Sequence, residues 1–185
     1  MRNILIWFLN LFLILSIFTA SPVQADVNSR EGDTADTAEK AEKTISREEM
    51  ELLIEAAQKG NPRAKFALGV LYLDGNAYIS KDVTKALQLL SEASDNDVVE
   101  ASALLGLLYL TGEGAEQDFA KSCEYLGRAA RKGHPSSQYL YAVQCVMGLG
   151  READIDEGRI WMNAAAENGD RDAQEFLRKN PEWIK

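Results

Sequence analysis

Three stretches decide the reading: ALGVLYLDG (Ala67–Gly75), LLGLLYLTG (Leu104–Gly112) and LYAVQCVMG (Leu140–Gly148). Laid over one another, they align Gly69, Gly106 and Ala142 at offsets of 37 and 36 residues, and Gly75, Gly112 and Gly148 at the same offsets. The register continues outward. Asp82, Asp118 and Asp154 are 36 residues apart, as are Leu89, Tyr125 and Trp161, and Ala93, Ala129 and Ala165. The one extra residue of the first unit falls between Gly75 and Asp82, where a loop absorbs it. A fixed period of this size means stacked supersecondary units, none of which can bury its apolar face alone.

Each unit reads as two helices. Helix A carries Ala, Leu, Gly and Tyr at helical spacing and ends at a glycine turn such as Thr111-Gly112-Glu113-Gly114. Helix B opens at Asp82, Asp118 or Asp154, whose carboxylates can accept the orphan N–H groups of a first turn. It closes at Lys132-Gly133, at Asn168-Gly169 and, in a preceding half unit, at Lys59-Gly60, where glycine supplies the left-handed residue after a helix. Pro62 and Pro135 stand at the start of the following helix A, a position that needs no donor. Start signals, stop signals and period agree. Gly69 and Gly106 each cost a helix interior about 1 kcal/mol relative to Ala, so a neighbouring helix is expected to approach there too closely for a side chain. The Ala pairs Ala56-Ala57, Ala129-Ala130 and Ala165-Ala166 read as the matching contacts.

This pattern resembles the Sel1-like repeat family of tetratricopeptide-like hairpins. The second unit carries the resemblance best, with Ala101, Leu105, Gly106, Tyr109, Gly112, Gly114, Asp118, Lys121, Tyr125, Ala129, Ala130 and Gly133. The first matches at Ala64, Leu68, Gly69, Tyr72, Gly75, Asp82, Lys85, Ala86 and Ala93. The third keeps Gly148, Gly150, Asp154, Trp161, Ala165, Ala166 and Gly169. It departs at Ala142, at Cys145 in place of tyrosine, and at Glu157-Gly158 in place of Lys-Ala. An ordinary tetratricopeptide array would have a 34-residue unit. The expected fold is all-α, an α-solenoid of stacked αα hairpins over residues 46–180. Three full units at about 61–97, 98–133 and 134–169 are flanked by half units, Arg47–Lys59 and Arg171–Lys179, and followed by a tail at 181–185.

Ahead of the array, Arg2 precedes an apolar run from Ile4 to Ala20. Pro22 breaks the run, and Val23-Gln24-Ala25 offers small residues to a signal peptidase. Residues 1–25 thus read as a signal peptide cleaved after Ala25; an uncleaved anchor is the other reading of a run this long. Either way the rest of the chain leaves the cytosol, for the periplasm or the exterior, with no integral span once the signal is gone. Residues 26–45 hold only Val27 as an aliphatic larger than alanine before Ile45, and read as a disordered polar leader.

With 20 basic and 29 acidic residues the chain carries −9, or −10 without the signal, whose one charged side chain is Arg2. Binding by phosphate neutralisation wants the opposite balance, so nucleic acid is excluded as a partner. One histidine and two cysteines leave little for catalysis, and no metal cluster, cofactor or phosphate loop is legible; Gly112-Glu113-Gly114 and Gly148-Leu149-Gly150 are repeat turns. His134 reads as a solvated turn residue, since a nucleophile–base pair would need Ser136 or Ser137 beside it and an orienting carboxylate. Cys123 and Cys145 are symmetric about residue 134 on antiparallel neighbours, at one height. They read equally as a disulfide or as a buried small hydrophobe at Cys145 beside a half-exposed thiol at Cys123. Some members of the family carry a cysteine pair in every unit, a pattern absent here.

The resemblance implies that helix A lines an inner, concave side and that the protein is a non-enzymatic adaptor, scaffold or regulator of the bacterial envelope. Its partner is then a protein or extended peptide. Residues on helix A where the units differ are the candidate contacts: Phe66, Val70, Leu73, Ser102, Leu107, Gln138, Tyr139 and Gln144. Inter-helix packing is the competing role for the apolar ones. An immunity-type inhibitor of a secreted toxin is a narrower version, and a cell-wall-acting or glycan-binding protein an alternative.

Overall fold

The computed structural model describes residues 46–184, so the signal peptide and the whole of the polar leader lie outside the described residues. All described residues belong to one compact unit, Ile45–Lys185. They form eight α-helices, a closing 3₁₀ turn and no strand: α1 (Arg47–Gln58), α2 (Pro62–Asp74), α3 (Val83–Asp95), α4 (Val99–Thr111), α5 (Phe119–Arg131), α6 (Pro135–Met147), α7 (Ile155–Glu167), α8 (Arg171–Lys179) and Pro181–Trp183. Each helix packs on its neighbours in sequence, more extensively within the hairpins α2–α3, α4–α5 and α6–α7 than between them. The protein is an all-α repeat solenoid.

The caps explain where each helix starts. Ser46 Oγ accepts from the Glu49 N–H while Glu49 Oε2 accepts from the Ser46 N–H, a reciprocal capping box on α1. Asp82, Asp118 and Asp154 accept first-turn N–H groups of α3, α5 and α7 at 2.9–3.0 Å, as the spacing requires. Helices α2, α4, α6 and α8 start at Asn61, Val98, His134 and Asp170, and of these only Val98 makes no side-chain cap. Val98 is buried in the core cluster of Leu90, Ala101 and Leu105, so its side chain serves packing instead. Gly60, Gly133 and Gly169 adopt positive φ between helix pairs; Asp97 holds that place in the first unit at φ 63°.

Gly69 and Gly106 do mark close helix approach, but their partners are not the alanine pairs. A Cβ on Gly69 would lie 3.0 Å from Leu90 Cγ, and one on Gly106 2.6 Å from Leu126 Cγ and 2.9 Å from the Leu126 nitrogen. In the third hairpin the small residue has changed sides. Ala142 replaces the helix A glycine, and Gly158, one period on from Ser122, supplies the space, where a Cβ would meet Val146 Cγ2 at 2.4 Å. The apolar interior is accordingly a series of clusters, around Met50 and Leu68, around Leu90 and Leu105, and around Leu126 and Cys145. The far end is closed by Trp183, whose ring meets Phe176 edge-on at 5.1 Å and lies under Arg159, and whose carbonyl accepts from Asn163. Ile184 remains exposed.

Candidate functional site

Of the eight helix A residues read as contacts, four are buried. Ser102 shares a 2.7 Å hydrogen bond with Ser94. Gln138 donates to the Ala130 carbonyl and accepts from Asn168, joining three helices. Gln144, 1% exposed, donates to Ser122 Oγ, which in turn donates to the Gly106 carbonyl, so this polar thread ties α6 to α5 and α4. Tyr139 is buried as well, and that burial raises its phenol pKa. These four are corrected to interior positions: the units differ there because each junction is packed differently. Phe66, Val70 and Leu73 are half-buried against the Leu90–Leu105 cluster. Leu107 alone stands clear, 41% exposed, in the column that holds Val70 and Val143.

The same helix, α4, opens onto a cavity of about 300 Å³ lined by Ser94, Asp95, Asp97, Val99, Ser102, Arg128, Arg131 and Lys132. Three cations from the end of α5 meet the uncapped first turn of α4. Arg128 pairs with Asp95 at 2.9 Å and Glu124 at 2.7 Å, and these pairings raise its pKa. Lys132 pairs with Asp97 at 2.9 Å, which lowers the Asp97 carboxyl below its ordinary value. Arg128 and Lys132 are thus paired, whereas Arg131 has no ion-pair partner among the described residues. Free N–H groups at a helix start beside an uncompensated guanidinium can receive a carboxylate.

His134 is not a solvated turn residue. It is half-buried and caps α6, its Nδ1 accepting from the Ser137 N–H at 3.2 Å and lying 2.9 Å from Ser137 Oγ. The spacing argument missed this serine contact, yet Ser137 is 1% exposed and no carboxylate bonds the ring among the described residues. No group of three or more His, Cys, Asp or Glu among the described residues is arranged to hold a metal ion.

A polar cluster that sequence reading left unassembled occupies the third hairpin. In the first two units a helix B lysine lies over the helix A tyrosine: Lys85 over Tyr72 at 4.5 Å and Lys121 over Tyr109 at 5.0 Å. Both partners are replaced in the third, by Glu157 and Cys145. The cation now comes from the loop: Arg151 pairs with Glu157 at 2.5 Å and donates to Tyr141 Oη at 2.6 Å and Cys145 Sγ at 3.4 Å. Trp161 Nε1 donates to Glu157 and its ring meets Tyr141 edge-on at 5.6 Å. The Arg151 hydrogen bond holds the Glu157 carboxyl below its ordinary 4.5. Burial pushes Tyr141 up to about 12 and the Cys145 thiol up to about 11. The paired departures at 145 and 157 were the available signal, one period on from Tyr109 and Lys121.

The chain belongs to the Sel1 repeat family, whose repeat signature matches residues 62–98, 99–134 and 135–170, more than half its length. Among solved structures it is similar to a Sel1 repeat protein from Oxalobacter formigenes, at 28% identity and a TM-score of 0.65, covering 70% of this chain and 97% of that one. It is also similar to a protective antigen of uropathogenic Escherichia coli strains displaying an SLR fold, at 35% identity and a TM-score of 0.62, over 67% of this chain and 26% of that one. Among curated relatives, the ERAD-associated E3 ubiquitin-protein ligase component HRD3B of Arabidopsis thaliana is 30% identical over 74% of this chain. The chitin synthase regulator SKT5 of Malassezia restricta is 28% identical over 69% of it. The chain spans 21% of the former and 9% of the latter. No helix among the described residues is long and apolar enough to cross a membrane.

Proposed function

We propose that this chain is a protein-interaction module without catalytic chemistry, exported to the periplasm or cell envelope, that holds a protein or extended peptide along its helix A set. The observation that carries the reading is α4, which bears an exposed leucine at 107 and an uncapped first turn opening onto the Arg128–Arg131–Lys132 cavity. An apolar anchor and a place for a carboxylate on one helix suit a peptide better than a small reacting molecule. The relatives support the reading: one is named a component of a ubiquitin ligase, another a regulator of a synthase, roles exercised on other proteins. The commitment of His134 and Ser137 to capping α6 supports the absence of acid–base work. The acid excess adds long-range attraction for a partner with a basic surface, which makes association salt-sensitive.

The test is affinity capture from the native envelope with wild type, Leu107→Asp and Arg131→Glu, each variant's melt recorded alongside. A protein recovered by wild type and depleted at least tenfold by both variants, with melts unchanged, is the expected result. Equal recovery by all three overturns the assignment to α4. Turnover of peptidoglycan by the purified protein, abolished by one substitution, overturns the non-enzymatic part.

A further inference from the structure

The two cysteines are on different helices, yet the fold brings them into one cluster. Cys145 on α6 is fully buried among Leu126, Ala130 and Tyr141, and Cys123 on α5 packs half-buried against that same group. The Arg151 guanidinium donates to Cys145 Sγ at 3.4 Å, and its positive charge also favours the Cys123 thiolate. One cation thus stands beside a cluster that holds both sulfurs, at the joint between the second and third repeats. Both are free thiols in this structure, and they are the only cysteines of the chain.

We propose that Cys123 and Cys145 are a redox pair that closes to a disulfide between α5 and α6 by exchange with a disulfide donor, under the guanidinium of Arg151. The order of attack follows from exposure. Cys123, the half-exposed thiol, is the one a donor reaches; its thiolate attacks one sulfur of the donor, forming a mixed disulfide and releasing the other sulfur as a thiolate, which takes up the proton Cys123 gave away. Cys145 then attacks the Cys123 sulfur, the internal disulfide forms, and the second donor sulfur departs with the proton of Cys145. Two protein thiols are oxidised and one donor disulfide is reduced to two thiols. Arg151 is the positioning residue: its charge favours each thiolate as it forms, against burial, which holds both thiols up. The bond would fix one repeat against the next and reaches across the turn at His134 that joins the second hairpin to the third. This inference is independent of the interaction reading.

The reduced full-length chain is incubated with oxidised glutathione, quenched by alkylation at intervals, and followed by intact mass. The expected end product is two hydrogen atoms lighter than the reduced chain, carries no alkyl group and no glutathione, and yields a reducible cross-linked peptide containing Cys123 and Cys145. Its melting temperature lies above that of the reduced form. Cys145→Ser stops at one glutathione on Cys123, Cys123→Ser leaves Cys145 unmodified, and Arg151→Met slows closure at least several-fold at neutral pH. Two free thiols after prolonged incubation, or a persistent glutathione adduct on Cys123 of the wild-type chain, overturns the proposal.

Discussion

Gly106 and Leu126 occupy one volume: the Leu126 side chain fills the space that any Cβ at position 106 would need, and the Leu126 backbone nitrogen lies only 2.9 Å from that point. This contact fixes how closely α4 and α5 approach. Gly106→Ala gains about 1 kcal/mol of helix propensity but forces backbone apart, an overpacking cost of about 1–3 kcal/mol. The net expectation is a lower melting temperature, with Gly106→Leu lower still. Gly69→Ala meets the fully buried Leu90 at 3.0 Å from Cγ and the Ala86 carbonyl oxygen at 3.3 Å, looser than the contacts at Gly106, and should lower the melt by less than Gly106→Ala does. Thermal melts of the three variants check the order; an unchanged Gly106→Leu melt would remove the packing argument.

The Arg151–Glu157 pair sets a pH dependence. Glu157 has its folded pKa lowered by Arg151, so the stability it contributes is complete above the ordinary carboxylate value of 4.5 and is lost as pH falls through the lower folded value. Glu157→Gln should therefore melt lower than wild type at neutral pH, and the gap should close in acid below the ordinary carboxylate range. Melts across pH for both proteins read this directly. A gap that persists unchanged into strong acid would assign the effect to packing.

Trp183 seals the last hairpin with its ring on Phe176 and its carbonyl on Asn163. Trp183→Ala empties a site that is 3% exposed, which should cost about 3 kcal/mol. Loss should be local first, because each repeat contacts only its neighbours. Hydrogen exchange is expected to speed up in α8 and α7 while α2 and α3 stay protected.

Asp97 takes the left-handed conformation that glycine takes at residues 60, 133 and 169. Left-handed backbone costs a residue with a Cβ roughly 1–2 kcal/mol, somewhat less for Asp, and the exposed pairing with Lys132 returns little. Asp97→Gly should raise stability by about 0.5 kcal/mol, after the larger chain entropy of glycine in the unfolded state is set against it. Chemical denaturation would register the shift in midpoint.

The architecture was legible because a solenoid writes the same local solution several times. The caps at Asp82, Asp118 and Asp154 and the glycines at 75, 112 and 148 all follow from residue type and period. The contact residues were less legible, for one physical reason. A position that varies between repeats varies either because it faces solvent or because two neighbouring helices pack differently there, and the sequence does not distinguish these. Gln138, Tyr139 and Gln144 are of the second kind.

By itself, then, the sequence determined the repeat, its helices, their ends and the expectation of close approach at Gly69 and Gly106, all of which depend on residues near in the chain. Only the tertiary structure decided which side chain fills each glycine notch, that His134 caps α6, and that Val98 is drawn into the core and leaves α4 uncapped. It also decided that Arg151 gathers Glu157, Tyr141 and Cys145 into one cluster, against which Cys123 packs. Those outcomes rest on distances between helices, and such distances are set by the volumes of residues that sit tens of positions apart.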